Sequence, residues 1–312
     1  MKTDLFVRDD GTALRVVDGF RERVLSAPKV SIRPKPGWEA SDYAAAAERK
    51  LRRSRRVLAQ LERWGGRVEG VRVLEVGCGA GVDCLLLALA GADRVVGIDL
   101  ELPLFEATEA GERTRRLTRA VLDAKGVTDG LAETHARLPL RLVRMDATRM
   151  TFLDASFDFV YSRAALEHIS PIERALAEMA RVVRPGGLLY HTVDPFYWLR
   201  GCHKEGVVDI PWAHARLRAA EYRRFVTIYE GEAKARKRRG RLESLNQLGL
   251  QDWRTRIEAS PFEILDWHED ASPLAESLLA EHPDVLETRL DGVAASDLVH
   301  STIRVWLRNR VG

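Results

Sequence analysis

The stretch Val73-Leu-Glu-Val-Gly-Cys-Gly-Ala-Gly81 limits this chain more than any other feature. A short apolar run, Val71-Arg-Val-Leu-Glu-Val76, leads into it, and an apolar segment over 82–90 follows. The pattern predicts a buried strand, a tight turn, and a helix whose amino end points back at that turn. Glycine has no Cβ, so Gly77, Gly79 and Gly81 can take unusual dihedrals and let a ligand approach the backbone. Many nucleotide-binding folds share such a turn, and Glu75 narrows the choice. It sits two residues before the first glycine, at the strand end, where a dinucleotide would need room for its pyrophosphate. An acid there suits a ligand bearing an ammonium group or hydroxyls.

The next apolar run, Arg94-Val-Val-Gly-Ile98, predicts a second strand that Asp99 closes. A carboxylate about 20 residues past the glycines can accept both hydroxyls of a ribose. Further strands are expected at Leu140-Arg-Leu-Val-Arg144, Phe157-Asp-Phe-Val-Tyr161 and Leu188-Leu-Tyr-His-Thr-Val193, with helices over 102–125 and 172–183 between them. This alternation predicts an α/β fold: a doubly wound, seven-stranded, mostly parallel sheet with helices on both faces. In Ser170-Pro171-Ile172-Glu173, Ser170 reads as a helix cap and Glu173 as the partner that completes a capping box. Tyr43, Ala47, Leu51, Leu58 and Leu61 recur at helical spacing over 39–64, and Gly65-Gly66 ends that helix. Residues 1–37, broken by Pro28, Pro34 and Pro36, read as an irregular arm. The alternation lapses over 196–262, which reads as a helical lid or substrate insertion before the sixth strand. Phe262-Glu-Ile-Leu-Asp-Trp267 and Ser301-Thr-Ile-Arg-Val-Trp-Leu307 look like the closing strands. The expected divisions are 1–66 (arm and helix), 67–195 (ligand-binding core), 196–262 (insertion) and 263–312 (closing strands).

Composition adds mainly exclusions. The 49 basic residues nearly balance the 46 acidic ones, which says little about partners. No run of about 18 apolar residues is present, so no membrane-spanning helix is expected. The first residues carry acids and no apolar stretch, so no secretory signal is expected. Cys78, Cys84 and Cys202 lack both a disulfide framework and metal-ligand spacing, and the expected compartment is the reducing cytoplasm. Residues 234–241 hold six cations in eight positions. They read as a solvated helix end or loop, or as a surface for an acidic substrate. No aromatic residue interleaves them, which disfavours nucleic acid.

The glycine turn, the Asp99 strand, Met145-Asp146-Ala147, Phe157-Asp-Phe-Val-Tyr161 and Arg181-Val-Val-Arg-Pro-Gly-Gly187 follow one another in the order of a known family. The chain resembles a class I S-adenosylmethionine-dependent methyltransferase of the small-molecule type over about residues 68–195. The resemblance implies S-adenosyl-L-methionine as cofactor. Gly77, Cys78, Gly79 and Gly81 would line its amino-acid end, and Glu75 would reach its ammonium. Asp99 would hold the ribose and Leu100 would pack on the adenine. Asp146 would accept from the adenine amino group, beside the Ala147 backbone, and Ser162 would lie by the methyl. Asp146 as a plain surface-loop acid stays open.

Methyl transfer to a hydroxyl needs a general base; transfer to a carboxylate or a neutral amine needs chiefly alignment. His168 follows the fourth strand of the core, where a histidine either anchors the loop or acts in catalysis. His191 and Asp194 lie at the rim where acceptors bind in this fold. In the insertion, Trp212 reads as an apolar wall, with His214 beside it and Arg216 as an anion clamp. The spacing of His191, Asp194 and His214 is not diagnostic of a metal site, and no metal is expected. The expected reaction is O-methylation of a natural product or saccharide. N- or carboxyl-methylation of a peptide or protein, and a non-catalytic cofactor-binding role, are the alternatives. A small-molecule acceptor is the expected partner, a membrane or nucleic acid is not, and a homodimer stays open.

Overall fold

A computed structural model of the chain describes residues 4–26 and 34–310; Pro28 and the extreme termini lie outside them. The chain opens with a hairpin, β1 (Leu5–Val7) and β2 (Ala13–Arg15), then α1 (Phe20–Ser26) and the long α2 (Ala40–Arg63). The core follows: β3 (Arg72–Val76), α3 (Val82–Leu89), β4 (Arg94–Asp99), α4 (Glu109–Ala124), α5 (Leu131–Arg137), β5 (Leu140–Arg144), β6 (Phe157–Arg163), α6 (Ile172–Val182) and β7 (Val183–Val193). Five helices come next: α7 (His203–Gly206), α8 (Ala213–Arg216), α9 (Ala219–Glu230), α10 (Glu232–Glu243) and α11 (Leu250–Glu258). Then β8 (Phe262–Ala271), α12 (Pro273–Glu281), α13 (Asp284–Thr288) and β9 (His300–Asn309) complete the fold.

The seven-stranded sheet runs β5-β4-β3-β6-β7-β9-β8. Its first five strands are parallel, and β9 enters antiparallel to both β7 and β8. This is the doubly wound α/β fold that the strand–helix alternation predicts. The chain starts at β3, winds outward to β5, then returns to β6 on the other side. The order therefore reverses at the β3–β6 boundary, which opens a crevice at the carboxyl ends of those strands.

Alternate residues of the central strands face opposite layers. Leu74, Val76, Val160 and Leu189 pack with Leu176 and Met179 of α6, while Val73, Phe159 and Leu188 pack with Leu85 of α3 and Leu61 of α2. Strands buried on both faces read as continuous apolar runs, which is why they are legible from sequence. The stripe Tyr43, Ala46, Ala47 and Leu51 of α2 packs on Val82, Leu86, Leu117 and Val121 of α3 and α4. Each fully buried Leu or Val there is worth roughly 1.5–3 kcal/mol.

Three local expectations are corrected. Residues 4–26 of the arm are not irregular: Phe6, Leu14, Phe20 and Val24 are buried against the helices that follow β7, and Val17 N donates to Asp209 O at 2.7 Å. Ser170 does not cap α6. Pro171 itself holds the N-cap position in extended backbone (φ −75°, ψ 135°), so Ser170 lies one residue too early to reach the first free amides. The strand expected at 188–193 begins earlier, at Val183, so Pro185-Gly186-Gly187 falls inside β7, at an irregularity between the Phe157↔Val183 and Phe159↔Leu188 pairings. Among the described residues, no helix is long and apolar enough to cross a membrane.

Candidate functional site

The glycine turn grows out of the β3 ladder. Gly77 N and Cys78 N both donate to Ile98 O of β4, at 2.8 and 3.0 Å, so the turn is fastened to its neighbour strand. Gly77 has φ +74°, and a Cβ there would lie 2.2 Å from the Ala165 Cβ. Only glycine fits both the left-handed backbone and that contact. Gly79, at φ +50°, has nothing nearer to a notional Cβ than Asp99 Oδ2 at 3.9 Å. The turn is thus closed toward the loop after β6 and open toward Asp99.

Asp99 is fixed by backbone donors. Its Oδ2 accepts from Gly79 N at 2.7 Å and its Oδ1 from Glu101 N at 3.1 Å. An ionised carboxylate offers about four acceptor sites, so both oxygens can accept further bonds. The next residue, Leu100, leaves 70% of its surface exposed, a bare apolar plate beside a half-buried acid. After β5, Asp146 Oδ1 accepts from both the N–H and the Oγ1 of Thr148 at 2.8 Å. These bonds hold its carboxyl below the usual carboxylate range. Ala147 beside it is buried. Together these groups make a rim of hydroxyl acceptors, an apolar plate and a bare backbone turn. That donor set fits a nucleoside with a charged tail.

Glu75 lies beneath the turn, only 3% exposed. Its Oε2 accepts from Cys84 Sγ at 2.8 Å. Burial, and then the nearby Asp83 charge, push its carboxyl well above the usual range, while burial likewise pushes the Cys84 thiol up. Sequence reading missed the neighbours that complete this cluster. Asp83 Oδ2 receives Lys50 Nζ of α2 at 3.3 Å and Arg163 Nη2 at 2.6 Å. Two signals could have found them. Asp83 interrupts the apolar run of α3, and Lys50 stands on the apolar stripe of α2.

On the acceptor side several expectations change. His191 and Ser162, cross-strand partners on β7 and β6, are both 0% exposed. His191 Nδ1 and Ser162 Oγ lie 2.8 Å apart, and His191 Nε2 is buried without a hydrogen-bond partner. Burial drives the imidazole down to about 3, so it is a poor base, and neither residue presents a surface to a ligand. Asp194 is half-buried and accepts from Thr302 Oγ1 at 3.4 Å. His168 is exposed on the single turn Leu166–His168.

Trp212, His214 and Arg216 do not line an open pocket. Trp212 Nε1 donates to Leu298 O at 3.0 Å, and His214 Nε2 lies 3.0 Å from Trp198 O. Arg216, 0% exposed, donates to Thr288 Oγ1, Pro211 O and Asp284 Oδ2 at 2.8, 3.2 and 2.7 Å. All three polar groups are spent on partners within the insertion and in the segment between β8 and β9. Tyr222 is also buried there, its hydroxyl donating to Gly206 O at 2.9 Å. The basic run 234–241 lies on α10. Arg238 pairs with Glu230 at 2.6 Å, Arg239 with Glu243 at 2.7 Å and Lys237 with Glu205 at 3.4 Å, which favours the solvated-helix reading. An open groove of about 730 Å³ between α2 and α4, lined by Tyr43, Arg116 and Asp123 among others, holds none of the strand-end residues.

Comparison with known proteins bears on residues of the core. A family model described as a methyltransferase domain matches residues 74–191. A ubiquinone biosynthesis O-methyltransferase of Sinorhizobium medicae is 30% identical over 123 residues, which are 39% of this chain and 41% of the relative. A demethylmenaquinone methyltransferase of Beutenbergia cavernae is 36% identical over 132 residues, 42% of this chain and 43% of the relative. The chain thus spans about two fifths of the length of these curated relatives. A solved S-adenosylmethionine-dependent methyltransferase from Mesorhizobium loti aligns with 80% of this chain and 96% of its own at 17% identity and a TM-score of 0.43.

Proposed function

We propose that the protein is a class I S-adenosylmethionine-dependent methyltransferase, built on the methyltransferase-domain match over residues 74–191, and that it transfers a methyl group to a hydroxyl of a small or medium-sized acceptor, of the natural-product or saccharide kind. The observation that carries this reading is Asp99, clamped by Gly79 N at the one edge of the turn that stays open.

S-adenosylmethionine, when bound, supplies a methyl on a sulfonium that is itself a good leaving group. In this reading Asp99 accepts the ribose hydroxyls and Leu100 covers the adenine. Asp146 and the Ala147 backbone meet the adenine edge. The glycines at 77, 79 and 81, with Cys78 between them, leave room for the amino-acid tail. Glu75 acts from below the turn, as part of the cluster with Lys50, Asp83 and Arg163, rather than as an open carboxylate.

The chain's remaining task is to hold an acceptor oxygen about 3 Å from the methyl and to take its proton. Asp194, reachable by solvent, is the candidate base, with His168 a second one only where its imidazole is not held by another group; the enclosed His191 is not. The name of the Sinorhizobium relative supports oxygen as the acceptor atom. The test is incubation of the whole protein with methyl-labelled S-adenosylmethionine and two acceptor panels, one of phenols and saccharides and one of peptides. Label in hydroxylated small molecules is the expected result. Label confined to peptides, or no transfer to either panel while the donor binds, would overturn the reading.

A further inference from the structure

A cluster of ligating side chains lies apart from the donor cradle. Glu167 and His168 occupy the turn Leu166–His168 that follows β6, and His203 opens α7 in the insertion. One ligand atom from each of the three lies within 4.8 Å of the other two. The rings of His168 and His203 stack with centroids 5.0 Å apart. Glu167 is 3% exposed, while His168 reaches solvent.

Two further observations show that this place is built. His203 has φ +56°, a left-handed conformation that a side-chain-bearing residue adopts at a cost, and such strain concentrates at ligand clamps. The turn is also held from the insertion: Asn246 N donates to Glu167 O at 2.9 Å, and Asn246 Nδ2 donates to Leu166 O at 2.9 Å.

We propose that Glu167, His168 and His203 bind one divalent transition-metal ion of the zinc type. Two imidazole nitrogens and one carboxylate oxygen are zinc ligands, whereas magnesium and calcium take oxygen sets. Zinc bonds of about 2.0–2.2 Å would draw the donors to about 3.4 Å from one another, a closure that side-chain rotation supplies. Three protein donors leave a fourth, open position on a tetrahedral ion.

The site has a structural consequence. Ala165, two residues before Glu167, touches Gly77 of the glycine turn. Two residues span at most about 7 Å. The ion would therefore pin the insertion to the very loop that closes one side of the turn.

The experiment uses the full chain, stripped of metal by chelator and dialysed, with zinc chloride titrated in by calorimetry. One ion per chain is expected, and magnesium chloride should give no binding. Glu167→Gln, His168→Gln and His203→Asn should each weaken zinc binding at least tenfold. Asn tolerates the left-handed backbone at 203, and His168 is exposed, so these two variants keep the fold; circular dichroism checks it. With cobalt as a coloured substitute, the visible bands should shift in His203→Asn. No stoichiometric zinc binding by the unaltered protein overturns the proposal, as does wild-type affinity in His168→Gln and His203→Asn. No methyl donor is present, so failure here leaves the methyl-transfer reading standing.

Discussion

Asp99 receives the Gly79 and Glu101 amides, and in the proposed reading its remaining lone pairs accept the ribose hydroxyls. Asp99→Ala should therefore weaken S-adenosylmethionine binding through lost charge-assisted hydrogen bonds worth about 1.5–3 kcal/mol each, read by calorimetry. Unchanged affinity would remove Asp99 from the ribose role. His191 makes a different kind of prediction. Its folded value, about 3, lies below the ordinary imidazole value of about 6.5. Between those values the unfolded chain binds the proton and the folded protein does not, so stability rises with pH through that window and is complete above it. His214, lowered by burial to about 4, acts with the same sign. Urea unfolding should show the protein less stable at pH 5 than at pH 7.5, with about 2 kcal/mol of the difference from His191 alone. His191→Gln should flatten the slope by that share, and an unaltered slope would mean the imidazole is already charged in the fold.

At the scale of elements, the turn after β3 and the loop after β6 are one unit, because Gly77 and Ala165 meet where any Cβ at 77 would clash. Gly77→Ala carries a left-handed penalty of about 1–2 kcal/mol and an overpacking cost of about 1–3 kcal/mol. Ala165→Gly removes the second cost only. The double variant should thus recover about 1–3 kcal/mol of thermal or urea stability relative to Gly77→Ala. Purely additive losses would show that the contact is not what fixes glycine there. The strands were legible because burial on both faces leaves apolar runs such as Val73-Leu74 and Val95-Val96. Asp99 was legible because it follows such a run at a telling distance from the glycines. His191 and Ser162 were not, because a strand's two-residue alternation does not tell which face closes over. His191 is paired across the ladder with Ser162 of β6 and Val305 of β9, neighbours that sequence spacing cannot see.

Across the whole molecule, two packing regions share the chain. The sheet with its flanking helices forms one. The other draws Phe6, Leu14 and Phe20 from the amino-terminal segment, Trp212 and Tyr222 from the insertion, and Leu278 and Val285 from the helices between β8 and β9. Contacts from sequence positions so far apart explain why the arm read as irregular and why Trp212 and Arg216 read as pocket residues. The three-residue strands of the hairpin bury one side chain each, too little periodicity to recognise, and an aromatic beside basic residues looks the same in a pocket as in a core. Phe20 tests whether the second region is a unit of its own. It is 2% exposed, with its ring 6.2 Å from Trp212 and 5.6 Å from His282. Phe20→Ala should cost about 3–5 kcal/mol there. Hydrogen exchange should then quicken in α8, α9 and α12, while the amides of β3, β4 and β6 keep their protection. Equal loss of protection in the sheet would mean that the two regions unfold together, and that the segment before α2 stabilises the donor crevice as well as the insertion.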